Sequence, residues 1–344
     1  MTDGRRRYYV LVYDWRQDNV QTARRLDELI DQIRQDYSKP DLKVDIVAHS
    51  MGGLATRYYL RYGTTDVLDS NDFPMNDHGI QRVRKVILLG TPNLGSVSAL
   101  SEFLQGMKIG MSRISTETIA TMPSIYQLFP HPIRNVVLSA NGAVLDRDLF
   151  DVNIWRRFQW SIFDPEVRKR IIKRYPTPEQ GAAYLEVLER YFEKHLERAR
   201  RFVWSLTVPV EHREIRHVVF GGDCEPTPAH IVIEEVNGKS MLRLNPDDIT
   251  NPVPGLDYEK LMLEPGDGRV TKPSLFAREL LDPTMPRHRY SNFPMDYSIL
   301  LCETHDNLAG NISFQNNLLN ILLTRDRPLQ PKTMKEQSDL LIQE

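Results

Sequence analysis

Residues 8–13 (YYVLVY) form an unbroken apolar run closed by Asp14, a pattern that predicts a buried β-strand. From 20 to 37 the pattern changes. Leu26, Leu29, Ile30, Ile33 and Tyr37 recur at three- and four-residue spacing, the stripe of an amphipathic helix. Pro40 closes it. Residues 44–48 (VDIVA) predict a second short strand, and 52–62 a helix with Gly63 as its C-cap. Residues 83–89 (VRKVILL) predict a third strand, ended by Gly90-Thr91-Pro92. Strands separated by helices imply a parallel sheet with crossovers.

From about 94 to 206 most of the chain carries no clear strand signal. It is rich in Met, aromatic and Pro residues, as in MPSIYQLFPHP and WRRFQWSIFDP. It ends in a long helix predicted over 179–204, where Leu185, Leu188, Phe192, Leu196, Ala199 and Val203 make one apolar stripe. The charged opposite face reads as solvated surface, with a lipid-facing interfacial helix as the alternative. Strand signals return at 217–220 (HVVF), followed by Gly221-Gly222-Asp223. Residues 231–235 and 240–244 predict a hairpin around Asn237-Gly238. A second glycine-rich turn is Gly266-Asp267-Gly268, a short apolar run spans 298–302, and 316–323 predicts the last helix. The implied organisation has a first core part at 1–95 with the chemistry-bearing turn described below. A helical cap or lid follows at 96–205, then a second core part at 206–325 and a polar tail at 326–344.

Composition narrows the class. With Lys+Arg 44 against Asp+Glu 46, the chain is not a strongly basic nucleic-acid binder. No apolar run approaches the roughly 18 residues of a membrane span. The basic-then-apolar start is too short for a signal peptide and lacks a cleavage site. If the start is genuine, a cytoplasmic protein is expected. Cys224 and Cys302 are too few for a disulfide scaffold and too far apart in sequence for a zinc motif. A disulfide between them stays open, to be decided by a free-thiol count.

The sharpest chemical signal is Val44-Asp45-Ile46-Val47-Ala48-His49-Ser50-Met51-Gly52-Gly53. An apolar strand runs straight into Ser50 and a helix starts straight after it, the context of a nucleophile elbow with Ala48 in place of the first glycine. Side chains two before and two after the serine would collide in so sharp a turn, so Ala48 and Gly52 are expected to be small for that reason. His49 and Gly52 support the elbow. The opening of the helix favours a developing negative charge, and the Met51 N–H is the expected oxyanion donor. An ordinary strand–turn–helix with a capping serine would look similar.

A serine hydroxyl needs a base, and the base an orienting carboxylate. The acid has two candidates in glycine-rich turns, Asp223 and Asp267. For the base, His305 in LLCETHDNL is favoured because it follows the run 298–302 and precedes the final helix. His131 sits in the inserted segment, His212, His217 and His230 come early, and His288 lies in a polar loop.

Several segments together resemble the lecithin:cholesterol acyltransferase-like family of α/β-hydrolases, which includes lysosomal phospholipase A2-type enzymes. They are Tyr13-Asp14-Trp15-Arg16, the elbow HSMGGLATRYYL, Leu89-Gly90-Thr91-Pro92-Asn93-Leu94-Gly95-Ser96 and Met122-Pro123-Ser124. Pro226-Thr227-Pro228, Gly266-Asp267-Gly268-Arg269-Val270 and His305 follow in the same order. The resemblance implies an α/β-hydrolase fold, a mostly parallel sheet with an inserted helical cap. It assigns the catalytic acid to Asp267 and gives Asp223 a structural role at the mouth of the site.

The resemblance also implies a strand and a PG-containing loop ahead of Tyr13-Asp14-Trp15-Arg16. That loop supplies the second oxyanion donor, and nothing here matches it, so an intact protein starting upstream is expected. The implied activity is that of a serine carboxyl-ester enzyme, with Ser50 as nucleophile, His305 as base and Asp267 as its partner. It takes a lipid ester as acyl donor and water or an alcohol as acceptor, making it a lipase, phospholipase or O-acyltransferase. No metal or organic cofactor and no nucleic acid is implied, and the cap is a place for membrane-surface contact. The competing readings are a catalytically silent α/β-hydrolase-like protein that binds a lipid or a partner, and an enzyme for amide or thioester substrates.

Overall fold

The computed structural model describes residues 6–208, 215–277 and 295–324. His212, His288 and the tail expected at 326–344 lie outside them. The chain opens with α1 (Asn19–Asp36), β1 (Val44–His49), α2 (Met51–Tyr62) and β2 (Val83–Leu89). Next come α3 (Val97–Gln105), β3 (Met107–Ile109), β4 (Ser112–Ile114), α4 (Thr116–Ile119), α5 (Pro123–Tyr126) and β5 (Val137–Ser139). Three helices follow, α6 (Val152–Phe158), α7 (Pro165–Ile172) and α8 (Pro178–Ser205). Then come β6 (Arg216–Gly222), β7 (Glu225–Pro228), β8 (Ile231–Val236) and β9 (Lys239–Arg243). The described part closes with α9 (Tyr258–Met262), β10 (Leu263–Gly266), α10 (Lys272–Phe276), β11 (Tyr297–Leu301) and α11 (Ile312–Leu323).

The central sheet runs β1-β2-β6-β11, and each pair is parallel. A parallel strand covered on both faces needs a nearly continuous apolar run, and β2 supplies one. Val86 and Leu88 face the large cluster containing Leu54 and Tyr58 of α2. Ile87 and Leu89 face a second cluster with Phe314 and Ile321 of α11. Lys85 interrupts the run at little cost. Its ammonium reaches past the strand to the carbonyls of Ile321 at 2.8 Å and Thr324 at 3.2 Å, at the C-terminal end of α11, where a helix dipole favours a cation.

Between β2 and β6 the chain packs helices around its own aromatic cluster. Phe103 of α3 lies 4.8 Å from Tyr126 and 5.6 Å from Trp155 between ring centroids, and Trp155 lies 5.2 Å from Phe192 of α8. The apolar stripe read along α8 is buried, so this face is packing surface. The hairpin read around Asn237-Gly238 forms as β8–β9, in a small separate sheet with β5.

One expectation is corrected. Residues 8–13 form no strand. Tyr9, Leu11 and Tyr13 are half-buried while Tyr8, Val10 and Val12 point outward, Val12 at 78% exposure. This alternation is what an extended chain produces, yet a strand also needs a neighbour's backbone. The segment runs instead along the end of α1, where Tyr9 Oη donates to Asp36 at 2.9 Å and Arg7 N–H donates to Tyr37 Oη at 2.7 Å. Among the described residues β1 is therefore an outer edge of the sheet, with Val47 at 43% exposure.

Candidate active site

In a parallel sheet with crossovers, the loops at the carboxyl ends of the strands converge on one edge. Two such loops meet here, the β1–α2 turn with Ser50 and the loop after β11 with His305. Asp267 joins them from the turn after β10, which lies outside the central sheet and pairs antiparallel with β7. Ser50 has φ 52° and ψ −127°, a strained conformation for a residue with a Cβ. Its N–H donates to Leu89 O at 2.8 Å, which ties the turn to the end of β2. Its hydroxyl caps no helix N–H, so the capping alternative does not describe it. Met51 is the first residue of α2, and its N–H is among those a helix leaves without an intrahelical acceptor.

The hydroxyl instead meets a histidine. Ser50 Oγ lies 2.9 Å from His305 Nε2, and His305 Nδ1 lies 2.8 Å from Asp267 Oδ2. His305 and Asp267 are buried. The second carboxylate oxygen of Asp267 accepts from the N–H groups of Arg269 at 3.0 Å and Val270 at 2.7 Å. Two fixed donors hold the carboxylate in place. The His305 N–H also donates to Asp267 O at 2.8 Å, so the pair is joined through backbone and side chain.

His49 takes a position the sequence does not define. Its Nε2 donates to the His305 carbonyl at 3.1 Å, with ring centroids 4.8 Å apart. Burial, and then the neighbouring His305, push its pKa below the ordinary value and keep the ring neutral. Asp223 does not approach His305 by hydrogen bond; its carboxylate pairs with Lys272 at 3.4 Å. His217 and His230 bond through Nδ1 to the carbonyls of Ile215 and Leu261, and His131 packs on Trp204.

The crowding expected at Gly52 falls one residue later. A Cβ at Gly52 would sit 3.7 Å from Tyr13 Oη and 3.9 Å from Ala48 Cβ, which is ordinary contact. A Cβ at Gly53 would lie 2.0 Å from Thr91 Oγ1, because the chain leaving β2 crosses the first turn of α2. Sequence reasoning also missed Gly90. At φ +57°, a Cβ there would come within 3.1 Å of both Asp267 Oδ2 and His305 Nδ1, so only a bare backbone leaves room for the pair. The signal was present in the Gly90-Thr91-Pro92 turn, but not what packs on it.

Beside Ser50 and His305 opens a cavity of about 190 Å³ whose apolar wall includes Trp15, Met51, Met107, Ile125 and Leu128. At its rim Arg269 pairs with Glu102 at 3.0 Å. A shallower and larger concavity of about 740 Å³, lined by Arg156, Arg168, Lys169 and Lys173, shares no residue with it. Among the described residues, no group of three or more His, Cys, Asp or Glu side chains is placed to hold a metal ion. Nor is any helix there long and apolar enough to cross a membrane.

The sequence profile of the lecithin:cholesterol acyltransferase family matches residues 6–173. The chain resembles the lecithin:cholesterol acyltransferase-like family of α/β-hydrolases. At family level the likeness is to lipid-ester hydrolases and acyltransferases. Among solved structures, the crystal structure of the Tle4–Tli4 complex is similar at 16% identity with a TM-score of 0.51, covering 91% of this chain and 68% of that one. That similarity concerns the α/β-hydrolase fold. Mature lipase BlEst2 from Bacillus licheniformis is similar at 14% identity and a TM-score of 0.35, over 90% of this chain and 76% of that one. No curated protein sequence matches the chain.

Proposed function

We propose that the chain is a serine-dependent carboxyl-ester enzyme that takes an acyl group from a lipid ester through an acyl-enzyme. The observation that carries this reading is the unbroken line from Ser50 Oγ through the His305 ring to Asp267, with steps of 2.9 and 2.8 Å.

Ser50 attacks the ester carbonyl while His305 Nε2 takes the hydroxyl proton. Asp267, fixed by two backbone N–H groups, holds the Nδ1–H tautomer and stabilises the imidazolium. The Met51 N–H and the opening of α2 face the charge that develops on the carbonyl oxygen. Collapse of the tetrahedral intermediate releases the alcohol, which leaves with the proton from Nε2. The acyl group stays on Ser50, its chain against Trp15, Met107, Ile125 and Leu128. Water or an alcohol then repeats the sequence in reverse. Hydrolase and O-acyltransferase share each of these residues and differ in what the cap, formed by the insertion between β2 and β6, admits as acceptor.

The cap also offers a contact with a lipid surface. The β3–β4 hairpin holds Met107 at the cavity wall and projects Ile109 and a fully exposed Met111 at its tip. Lys108 and Arg113 stand opposite each other across its strands. Apolar tips flanked by basic residues suit an interface with anionic lipid.

A fluorophosphonate probe tests the nucleophile. The expected result is a single adduct on Ser50, located by peptide mass spectrometry and lost in Ser50→Ala. A folded protein that is not labelled would overturn the serine mechanism and favour a lipid-binding role for the cavity. With labelling in hand, a panel of lipid esters with and without an alcohol acceptor separates hydrolysis from transfer.

A further inference from the structure

Cys224 and Cys302 are joined by a disulfide across 78 residues of sequence, with Cα atoms 5.1 Å apart. Its place in the fold is specific. Cys224 is followed directly by β7, which pairs antiparallel with β10. The next residue, Glu225, bridges to Asp267 itself. Cys302 directly follows β11, and His305 comes three residues further on, after Glu303 and Thr304. The covalent bond therefore ties the arm that holds the carboxylate to the arm that delivers the imidazole. The same two arms are joined by the His305 N–H to Asp267 O bond and by the Nδ1–Oδ2 bond, both of which lie at the far end of a short loop. Both cysteines are exposed, unlike the dyad they flank.

We propose that the Cys224–Cys302 disulfide is a positioning element for His305, and that its reduction by a dithiol lowers ester turnover while the fold persists. The proposal rests on the reading of Ser50, His305 and Asp267 as one catalytic unit. Geometry gives the reason. Opening the bond frees the 302–304 link at its foot, and a shift of about 1 Å in a reacting group costs on the order of 10² in rate. The central strands do not depend on the bond, since β6 and β11 remain paired along five registers. The exchange needs a reductant. A thiolate of the dithiol attacks one sulfur to give a mixed disulfide and free one cysteine as its thiolate. The second thiolate of the dithiol then closes on its partner sulfur and frees the other cysteine. Two electrons and two protons pass to Cys224 and Cys302, and the dithiol leaves as a cyclic disulfide. Exposed disulfides are the ones accessible to this chemistry, so the enzyme is at full rate only where thiols are kept oxidised.

The test uses the whole chain with dithiothreitol as the dithiol. Reduction is followed by free-thiol count, fold by circular dichroism and melting, and activity with an ester from the panel that the oxidised protein turns over. The expected result is a fall in kcat of at least tenfold with KM unchanged. The rate of fluorophosphonate labelling at Ser50 should fall by the same factor, and oxidised glutathione should restore both. A Cys224→Ser/Cys302→Ser variant should show the lowered kcat and no response to dithiothreitol. Fully reduced, folded protein with unchanged kcat would overturn the proposal. So would a loss of kcat that follows the loss of folded protein. Either result leaves the catalytic unit standing if the oxidised protein labels at Ser50. Absence of labelling in the oxidised protein would overturn both readings.

Discussion

The ring of His49 reaches over the Ser50 turn to the backbone of His305, its Nε2 donating to the His305 carbonyl at 3.1 Å. Thus the residue before the serine fixes the main chain of the residue that the serine faces. A neutral hydrogen bond of this kind contributes about 0.5–1.5 kcal/mol. His49→Phe should lower kcat by roughly two- to tenfold with little change in KM. His49→Gln, which keeps a donor, should recover part of the loss. Equal kcat in all three proteins would remove His49 from the positioning of His305.

Asp267 has a more demanding role. In the proposed mechanism its carboxylate, 2.8 Å from His305 Nδ1, sets the tautomer of His305 and balances the charge that forms on it. Asp267→Asn keeps the shape but offers an amide where a negative charge is needed. The expected fall in kcat is about 10³–10⁴-fold, with fluorophosphonate labelling slowed in parallel. Asp223→Asn, which changes a residue paired with Lys272, should stay within about threefold of the parent. A larger effect at 223 than at 267 would reverse the assignment of the acid.

Much of this was legible in the sequence, and the reason is local. The 83–89 strand, the long helix ending the insertion and the strand–serine–helix turn each carry their signal within one window of residues. The two acids show the limit. Asp223 and Asp267 both sit in glycine-rich turns, and the composition around them does not separate them. What separates them is the pairing of β7 with β10, which carries the second turn beneath His305. Residues 8–13 fail for the same reason in reverse. They have the composition of a strand and even its alternation, but a ladder is a property of two segments. The bridge between Cys224 and Cys302, the crowding at Gly53 and the clearance at Gly90 are likewise contacts between distant parts of the chain.

The contrast between two adjacent glycines is testable by stability. Gly53→Ala places a Cβ against Thr91 and should destabilise by about 1–3 kcal/mol as an overpacked core does. Gly52→Ala meets only ordinary contacts. In a helix the alanine is intrinsically better by up to about 1 kcal/mol, so a neutral or slightly stabilising result is expected. Denaturant melts of the two variants should separate clearly. Indistinguishable midpoints would mean that Thr91 moves aside freely.

Acid sensitivity follows from buried histidines. His217 is fully buried on β6, and desolvation pushes its pKa down to about 4, with Arg61 and Arg57 adding to the effect and its bond to Ile215 O opposing it. Between the folded value near 4 and the ordinary 6.5, the unfolded chain binds the proton and the folded one does not. Stability therefore rises with pH through that window and is lost as pH falls. His217 alone accounts for about 2 kcal/mol between pH 7 and pH 5. His195, also pushed down to about 4 by burial, acts in the same direction. Asp296, whose carboxylate accepts from the His217 N–H and whose pKa is raised by burial, opposes it. His217→Asn should flatten the pH dependence of the unfolding midpoint between pH 5 and pH 7. An unchanged slope would locate the acid sensitivity elsewhere.

The hairpin tip makes the last prediction. Ile109 and Met111 expose apolar side chains beside the cavity that holds Ser50, and burying one such side chain in lipid is worth up to about 1.5–3 kcal/mol. An Ile109→Ser/Met111→Ser variant should therefore bind vesicles of phosphatidylcholine and phosphatidylglycerol at least tenfold more weakly. Its kcat on a water-soluble ester should not change, because neither side chain lines the cavity. Lys108→Gln should weaken binding to the same vesicles mainly at low salt, since an exposed charge is screened within about 10 Å at 0.1 M. Vesicle binding by flotation and ester turnover in solution, measured on the same samples, tell surface docking from catalysis. Equal vesicle binding by parent and double variant would mean that the hairpin is not the surface that meets lipid.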